Sequence, residues 1–289
     1  MDVERLNEPL EFLDAAAPVL MADEARHNLI LSLCTTLVQD PDAYPDFHLW
    51  LVREGNQPVL AAMMTPPFNV LVSRPLASNA VPVLAQALHQ ERTPVPGVNA
   101  ALPEVDEFVE AWRTATGRSA RLRTALGLFQ LTAVRPVTGV RGRSRDAAPG
   151  DRSLLAAWFD AFAAEALPES HPARKDRALS HETIDRRLGG DGGLALWENP
   201  APVSLAGWSG STPNGVRIGP VYTPPDLRRR GYASALVARV SQDLLDRGRT
   251  FCFLYTDLAN PTSNHIYREV GYEHVCDSAD YGFEERTPG

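Results

Sequence analysis

The chain has 289 residues, 44% of them hydrophobic and 22% charged, with a formal net charge of −8. That length holds one large or two ordinary domains of a globular kind, and the acidic balance argues against nucleic acid as a bulk partner. Its apolar runs fall short of the roughly 18–20 residues of a membrane span, so no membrane partner is expected.

The acidic start from Met1 to Glu11 does not resemble a signal peptide. Cys34, Cys252 and Cys276 are widely scattered and form no C-x-x-C pair. A reduced, cytoplasmic protein is the expectation. The histidines show no metal-ligand spacing, and no metal site is expected.

In the N-terminal half, His48 to Val52 and Val59 to Met64 read as strands joined by a turn at Gly55-Asn56, and a third strand spans Asn69 to Ser73. A helix from Ala77 to Gln90, a short strand near Val98 and a helix from Val105 to Thr114 follow. A strand-like run, Phe129 to Val134, precedes a polar stretch rich in small residues, Arg141 to Gly150. That stretch is the candidate linker, with a boundary near 142–150 that divides domains 1–141 and 150–289.

The second half repeats the order. A helix spans Leu154 to Ala166, strands Leu194 to Glu198 and Val203 to Trp208 join through Asn199-Pro200, and a third strand runs Val216 to Thr223. An apolar stripe of Ala233, Leu236, Val237, Val240, Leu244 and Leu245 marks a helix to about Arg247. Phe251 to Thr256 is a buried strand, broken by Asp257-Leu258-Ala259-Asn260-Pro261. Thr262 or Ser263 caps a short helix holding His265, Ile266, Tyr267 and Arg268, which ends at Gly271. Pro58-Val59 recurs as Pro202-Val203, 144 residues on. These parallels predict a tandem repeat of one α/β fold.

Arg228-Arg229-Arg230-Gly231-Tyr232-Ala233 joins the third strand to the long helix. Small residues there let backbone N–H groups approach a ligand, at the point where a helix leaves its first donors unpaired and its dipole is positive. The junction predicts an anion site, most naturally for phosphate. It is neither a Walker loop nor a dinucleotide fingerprint.

Val221-Tyr222-Thr223-Pro224-Pro225 followed by Arg228-x-x-Gly231-Tyr232-Ala233 resembles the acyl-CoA motif of the GNAT superfamily of N-acetyltransferases. Asp257-x-x-Asn260-Pro261-x-x-Asn264-x-Ile266-Tyr267-x-x-x-Gly271-Tyr272 is similar to that superfamily's second motif. The match covers roughly residues 150–289. With the repeat, it implies two GNAT-like domains, each a mixed, mostly antiparallel, splayed sheet flanked by helices. It also implies acetyl-CoA as acyl donor and direct transfer to a primary amine of a small molecule or peptide, by a monomer or homodimer.

On the matching positions, the resemblance implies pyrophosphate at Arg228, Arg229, Arg230, Gly231, Tyr232, Ala233 and Ser234. Val221, Tyr222 and Thr223 run beside the pantetheine arm; Asn260 and Asn264 are turn and cap residues that the resemblance places in the cofactor site, with Asn260 bonding the pantetheine. Tyr267 stands at the family's position for a phenol that protonates the leaving thiolate. The family often places a carboxylate on the strand before the loop, but Ile218 to Thr223 has none. Asp257, His171, Glu198 and His265 are candidate bases, and a water chain also serves.

Trp158, Phe162 and Trp208 either line the acceptor pocket or fill the core. Ser73-Arg74-Pro75-Leu76-Ala77 carries no such loop, so the first half is a degenerate copy. It builds the acceptor pocket, covers the catalytic sheet or stabilises the fold. The rival readings are a non-catalytic acyl-CoA-binding regulator and a structural fold with a vacant site.

Overall fold

A computed structural model describes residues 1–166, 177–190 and 192–284. Two compact units divide the chain, one made of Met1–Leu128 with Val275–Gly289 and the other of Phe129–His274.

In the first unit the order is β1 (Asp2–Leu6), α1 (Pro9–Leu20), α2 (Asn28–Gln39), β2 (His48–Glu54), β3 (Gln57–Met64), β4 (Val70–Val72), α3 (Ala80–Gln90), β5 (Gly97–Ala101), α4 (Glu104–Thr116) and β6 (Ala120–Leu131). Strands β1 to β5 lie in sequence order and are followed by β12 (Glu273–Phe283), the chain's last strand. Pairing is antiparallel except between β4 and β5.

Strands β2 and β3 are buried on both faces, which explains their near-continuous apolar sequence. Leu49, Leu51, Ala61 and Met63 join the core that includes residues of α1 and α2. The alternate residues Trp50, Val52, Leu60, Ala62 and Met64 join the core that includes residues of α3 and α4. Phe108 and Trp112 of α4 stack on Phe283 of β12, at ring separations of 6.3 and 5.5 Å.

The second unit repeats the elements: β7 (Arg143–Asp146), α5 (Arg152–Ala166), α6 (Arg177–Leu188), β8 (Gly193–Glu198), β9 (Pro202–Ser209), β10 (Gly215–Tyr222), α7 (Tyr232–Asp246), β11 (Phe251–Asp257) and α8 (Pro261–Val270). Its pairings β7–β8, β8–β9 and β9–β10 are antiparallel and β10–β11 is parallel, as in the first unit. Even an irregularity recurs. The β2–β3 ladder shifts between Val52↔Leu60 and Arg53↔Pro58, and the β8–β9 ladder between Trp197↔Ser204 and Glu198↔Pro202. Proline has no N–H for the ladder, so each hairpin bulges where its third-strand proline falls.

Both units are thus mixed, mostly antiparallel sheets flanked by helices, as the sequence predicts. In the second unit the parallel β10–β11 ladder covers only Gly215–Arg217 against Phe251–Phe253, while β10 runs on to Tyr222. That divergence is the splay.

Several local expectations need correction. The polar stretch 141–150 is not all linker, because Arg143–Asp146 forms edge strand β7 on β8. Its order comes from charge rather than apolar alternation: Arg145 binds Asp151 through both terminal nitrogens (2.7 and 2.8 Å) and Glu198 through Nε (2.6 Å). A single boundary at 142–150 also differs from the divisions at 128/129 and 274/275. Phe129 and Leu131 at the end of β6 join the second core, and β12 from Val275 on joins the first unit. The first unit thus takes in most of the chain's last strand, and the second core takes in only the end of β6. Helix α3 begins at Ala80 rather than Ala77, and α8 is capped by Asn260, whose side chain accepts from Ser263 N–H (3.1 Å), not by Thr262 or Ser263.

Candidate functional site

Strand β10 breaks register with β9 between Ile218↔Trp208 and Val221↔Ala206. Gly219, at φ +148°, occupies this bulge in a conformation that side chains rarely adopt. Beyond it, Val221 packs against the core that holds the apolar face of α7. Tyr222 is buried beside Trp158 of α5, with ring centroids 6.1 Å apart.

The junction after β10 turns through a short 3-10 segment, Pro225–Leu227, and then takes φ +61° at Arg229 and φ +80° at Gly231. Gly231 precedes α7 in the left-handed region and supplies no side-chain cap. Intrahelical bonding starts with Ala235 N–H to Gly231 O (2.9 Å). Among the described residues, the N–H groups of Tyr232, Ala233 and Ser234 are therefore free donors at the positive end of a 15-residue helix. Gly231 also has a reason independent of any ligand: a Cβ there would lie 2.8 Å from Val140 Cγ2.

The three arginines differ. Arg228 Nε donates to Thr223 O (2.8 Å), Nη2 pairs with Glu165 (2.6 Å), and the guanidinium lies over the Tyr222 ring. Arg230 donates to Asp226 O (3.2 Å). Arg229 is exposed, with no partner among the described residues. Tyr232 contributes only its backbone, because its ring is buried and its hydroxyl accepts from Asn199 Nδ2 (2.9 Å). Ser234 is buried as well.

On α8, Asn264 Nδ2 donates to the carbonyls of Asp257 and Leu258 (3.2 and 3.3 Å), tying the loop after β11, while its buried Oδ1 has no partner among the described residues. Tyr267 packs on the α7 core beside Tyr272, edge to face at 5.9 Å, and its hydroxyl makes no hydrogen bond among the described residues. Burial pushes the Tyr267 phenol up to about 12, so it keeps its proton at neutral pH. Val221, Tyr232 and Tyr267 thus meet on one core, while Tyr222, Arg228 and Trp158 gather at α5.

Among the described residues, none of the candidate bases stands free at β10. Glu198 is held below the usual carboxylate range by its hydrogen bond from Arg145, which makes it a poorer base. Asp257 accepts from Ala259 N–H (2.8 Å), His265 pairs with Glu269 on the exposed side of α8 (3.2 Å), and His171 lies outside the described residues. Phe162 is half-buried, and Trp208 packs on the α7 core. Sequence reasoning missed Arg187, which reaches β10 from α6. Its signal was only a basic residue in an otherwise polar helix.

The first unit contains the matching junction with different chemistry. Asn79 precedes α3 at φ +65° and ψ +1°, close to the +80° and 0° of Gly231. Asparagine tolerates that region, so the geometry persists without the glycine. The third residue of α3 is Pro82, which has no N–H to offer. A cavity of about 1160 Å³ opens there, lined by Pro75 to Asn79 and by Asp106, Glu107 and Glu110. Carboxylates facing that helix start oppose a phosphate. Among the described residues no helix is long and apolar enough to cross a membrane, and no group of His, Cys, Asp and Glu is placed to hold a metal.

The family model described as FR47-like protein matches residues 194–280. No curated protein matches the chain. Among solved structures, the chain is similar to a GCN5-related N-acetyltransferase from Sphaerobacter thermophilus, at 16% identity and TM-score 0.62, with 99% of this chain and 96% of that one covered. It is also similar to a GNAT-family acetyltransferase from Colwellia psychrerythraea, at 11% identity and TM-score 0.57, covering 98% and 100%. A tandem GNAT protein from the clavulanic acid biosynthesis pathway matches at 14% identity and TM-score 0.58, covering all of both chains. The fold is the GNAT fold over the whole length. Within it, residues 194–280 also match the FR47-like family model.

Proposed function

We propose that the second unit is an acetyl-CoA-dependent N-acetyltransferase acting on a primary amine of a small molecule or peptide. The observation that carries this reading is the junction of β10 and α7, where two positive φ angles precede three unpaired N–H donors at a helix start. The residues fit the donor. The N–H groups of Tyr232, Ala233 and Ser234 suit its pyrophosphate, with charge from Arg229 and Arg230. The edge of β10 from Val221 to Thr223, beyond the last β10–β11 pair, suits the amides of its pantetheine arm.

When bound, acetyl-CoA supplies an activated thioester carbonyl. Tyr267 holds a proton for the departing sulfur, and Asn260 and Asn264 fix the loop before α8. The free, buried thiols of Cys34, Cys252 and Cys276 suit a reducing compartment, which supports a cytoplasmic location.

A second reading, a non-catalytic acyl-CoA-binding regulator, draws on the lack of a carboxylate from Ile218 to Thr223 and on the engagement of Asp257 and Glu198. Thiol release from acetyl-CoA across a panel of amines separates the two. Release dependent on an amine supports the transferase. Binding of CoA with no turnover on any amine supports the regulator.

A further inference from the structure

The two units supply an internal comparison at the strand pair that frames the splay. Position 63 of β3 and position 207 of β9 are equivalents: Met63 pairs with Leu49 and Gly207 with Leu194, each one residue beyond the matched pairs Ala62↔Trp50 and Ala206↔Ala195. In the first unit Met63 is fully buried, its sulfur 3.7 Å from Cys34 Sγ of α2, and it pairs with Leu71 in an unbroken β3–β4 ladder. In the second unit the same place is glycine, the ladder to β10 bulges around Gly219-Pro220, and the vacated space holds a guanidinium.

That guanidinium is Arg187 of α6. Its Nη1 donates to Gly219 O (2.7 Å), its Nη2 donates to Ser209 Oγ (2.9 Å), and its Cζ lies 5.9 Å from the Phe159 ring centroid. A Cβ on Gly207 would stand 2.3 Å from Arg187 Nη1. Three features therefore occur together and only where the free-donor junction occurs: a missing side chain, a bulge, and a half-buried arginine bonded to the bulge carbonyl. A hydrophobic pair fills the equivalent space in the first unit at no polar cost. Exchanging it for a desolvated guanidinium lowers stability unless the arginine is bonded in full or serves another purpose.

Resting on the transferase reading above, we propose that Arg187 is the positioning residue of the transfer site. By holding the Gly219 carbonyl toward α6, it fixes the bulge that sets the phase of Val221 and Tyr222 along the free edge of β10. A bulge re-aims everything beyond it on its strand. Residues 221 and 222 are the ones placed beside the acyl donor, so a slip of the bulge misplaces the thioester while leaving the phosphate junction intact. Arg187 touches no reacting atom in this scheme and acts through β10.

Arg187→Met keeps an unbranched apolar stem and removes the fork that lies over Phe159. Gly207→Ala keeps the fork but displaces its flexible end, and its Cβ would also stand 3.1 Å from Gly219 O. Each variant and the double variant would be compared with the wild type by CoA calorimetry, amine-dependent thiol release, and hydrogen exchange of the β10 amides. The expected result is CoA affinity within about threefold of wild type and a kcat loss of about 10²-fold in Arg187→Met, the scale of a 1 Å misplacement. The double variant should be no slower than Arg187→Met, because both changes act on the Gly219 carbonyl and the bulge it belongs to. Amide exchange at 221–222 should rise, and millimolar guanidinium ion should restore part of kcat in Arg187→Met but none in Gly207→Ala.

Wild-type kcat in Arg187→Met, or losses that multiply in the double variant, would overturn the proposal. A wild-type chain that binds CoA but releases no thiol with any amine would remove the transferase reading instead. The exchange measurement would then still decide whether Arg187 holds the bulge, with unchanged exchange overturning it.

Discussion

Tyr267→Phe deletes one hydroxyl and leaves the ring on Tyr272 and the α7 core. Stability should therefore change little, and the effect should fall on turnover. Its size follows from burial. The phenol is pushed up to about 12, whereas a free thiol titrates near 8.5. That gap of about 3.5 units makes complete proton transfer to a thiolate uphill by about 5 kcal/mol. The help available is then a hydrogen bond to a charged sulfur, on the scale of about 1.5–3 kcal/mol for charged partners. That is about 10–150-fold in kcat.

The assay is thiol release at saturating acetyl-CoA and a verified amine, from pH 7 to 10, with CoA affinity measured in parallel. The wild-type to variant ratio should stay flat across that range, because the buried phenol keeps its proton until about pH 12. A ratio of one makes Tyr267 a packing residue. A ratio that collapses as pH nears 10 refutes the burial argument, and joint loss of CoA binding and turnover makes it a donor-binding residue.

Phe283→Ala should destabilise the first unit by about 3–5 kcal/mol, since it empties a nearly buried aromatic stack on Phe108 and Trp112. Hydrogen exchange should accelerate in β5 and α4 before β9 and α7, and the reverse order would contradict the assignment of the last strand to the first unit. Burial pushes the Cys34 and Cys252 thiols up to about 12. Their folded values exceed the unfolded one, so their stabilisation is complete below about pH 8.5 and is lost as pH rises toward 12, at about 1.4 kcal/mol per unit for each thiol. Urea midpoints from pH 8 to 10 should fall, and less steeply in Cys252→Ala; a flat profile would refute this. Arg145→Met should loosen β7 from β8, and it should remove the acid sensitivity that Asp151 and Glu198 confer, present above their unfolded values near 4 and lost as pH falls. Unaltered acid unfolding in that variant would show the network to be idle.

Much of the second unit was legible because its chemistry is local. The apolar stripe of α7, the glycine before it and the Asn260-Pro261 break each announce themselves within one turn or strand. Buried β-runs such as Leu49–Val52 are equally plain. Elements stabilised from a distance were not. Strand β7 reads as linker because Arg145 and its two carboxylates hold it, with 53 residues separating Arg145 from Glu198. Helices α1 and α2 bury residues such as Phe12 and Cys34, but their period is blurred by small residues and by Pro18 inside α1. The return of the last strand to the first unit depends on pairings such as Ala279 with Ala100, which local pattern does not encode. Arg187 was invisible for a related reason: its meaning lies in a glycine 20 residues on and a bulge 32 residues on.

The central claim is that one donor site, at the junction of β10 and α7, serves the whole chain. Calorimetric titration of CoA into the full-length protein tests it most directly, run beside Gly231→Val. That substitution meets Val140 at its flexible methyl and forces a β-branched residue to φ +80°, so its fold must be verified first. The account predicts one CoA per chain and an affinity weakened at least tenfold, about 1.4 kcal/mol, in the folded variant. No binding, two sites per chain, or unchanged affinity in that variant would contradict it.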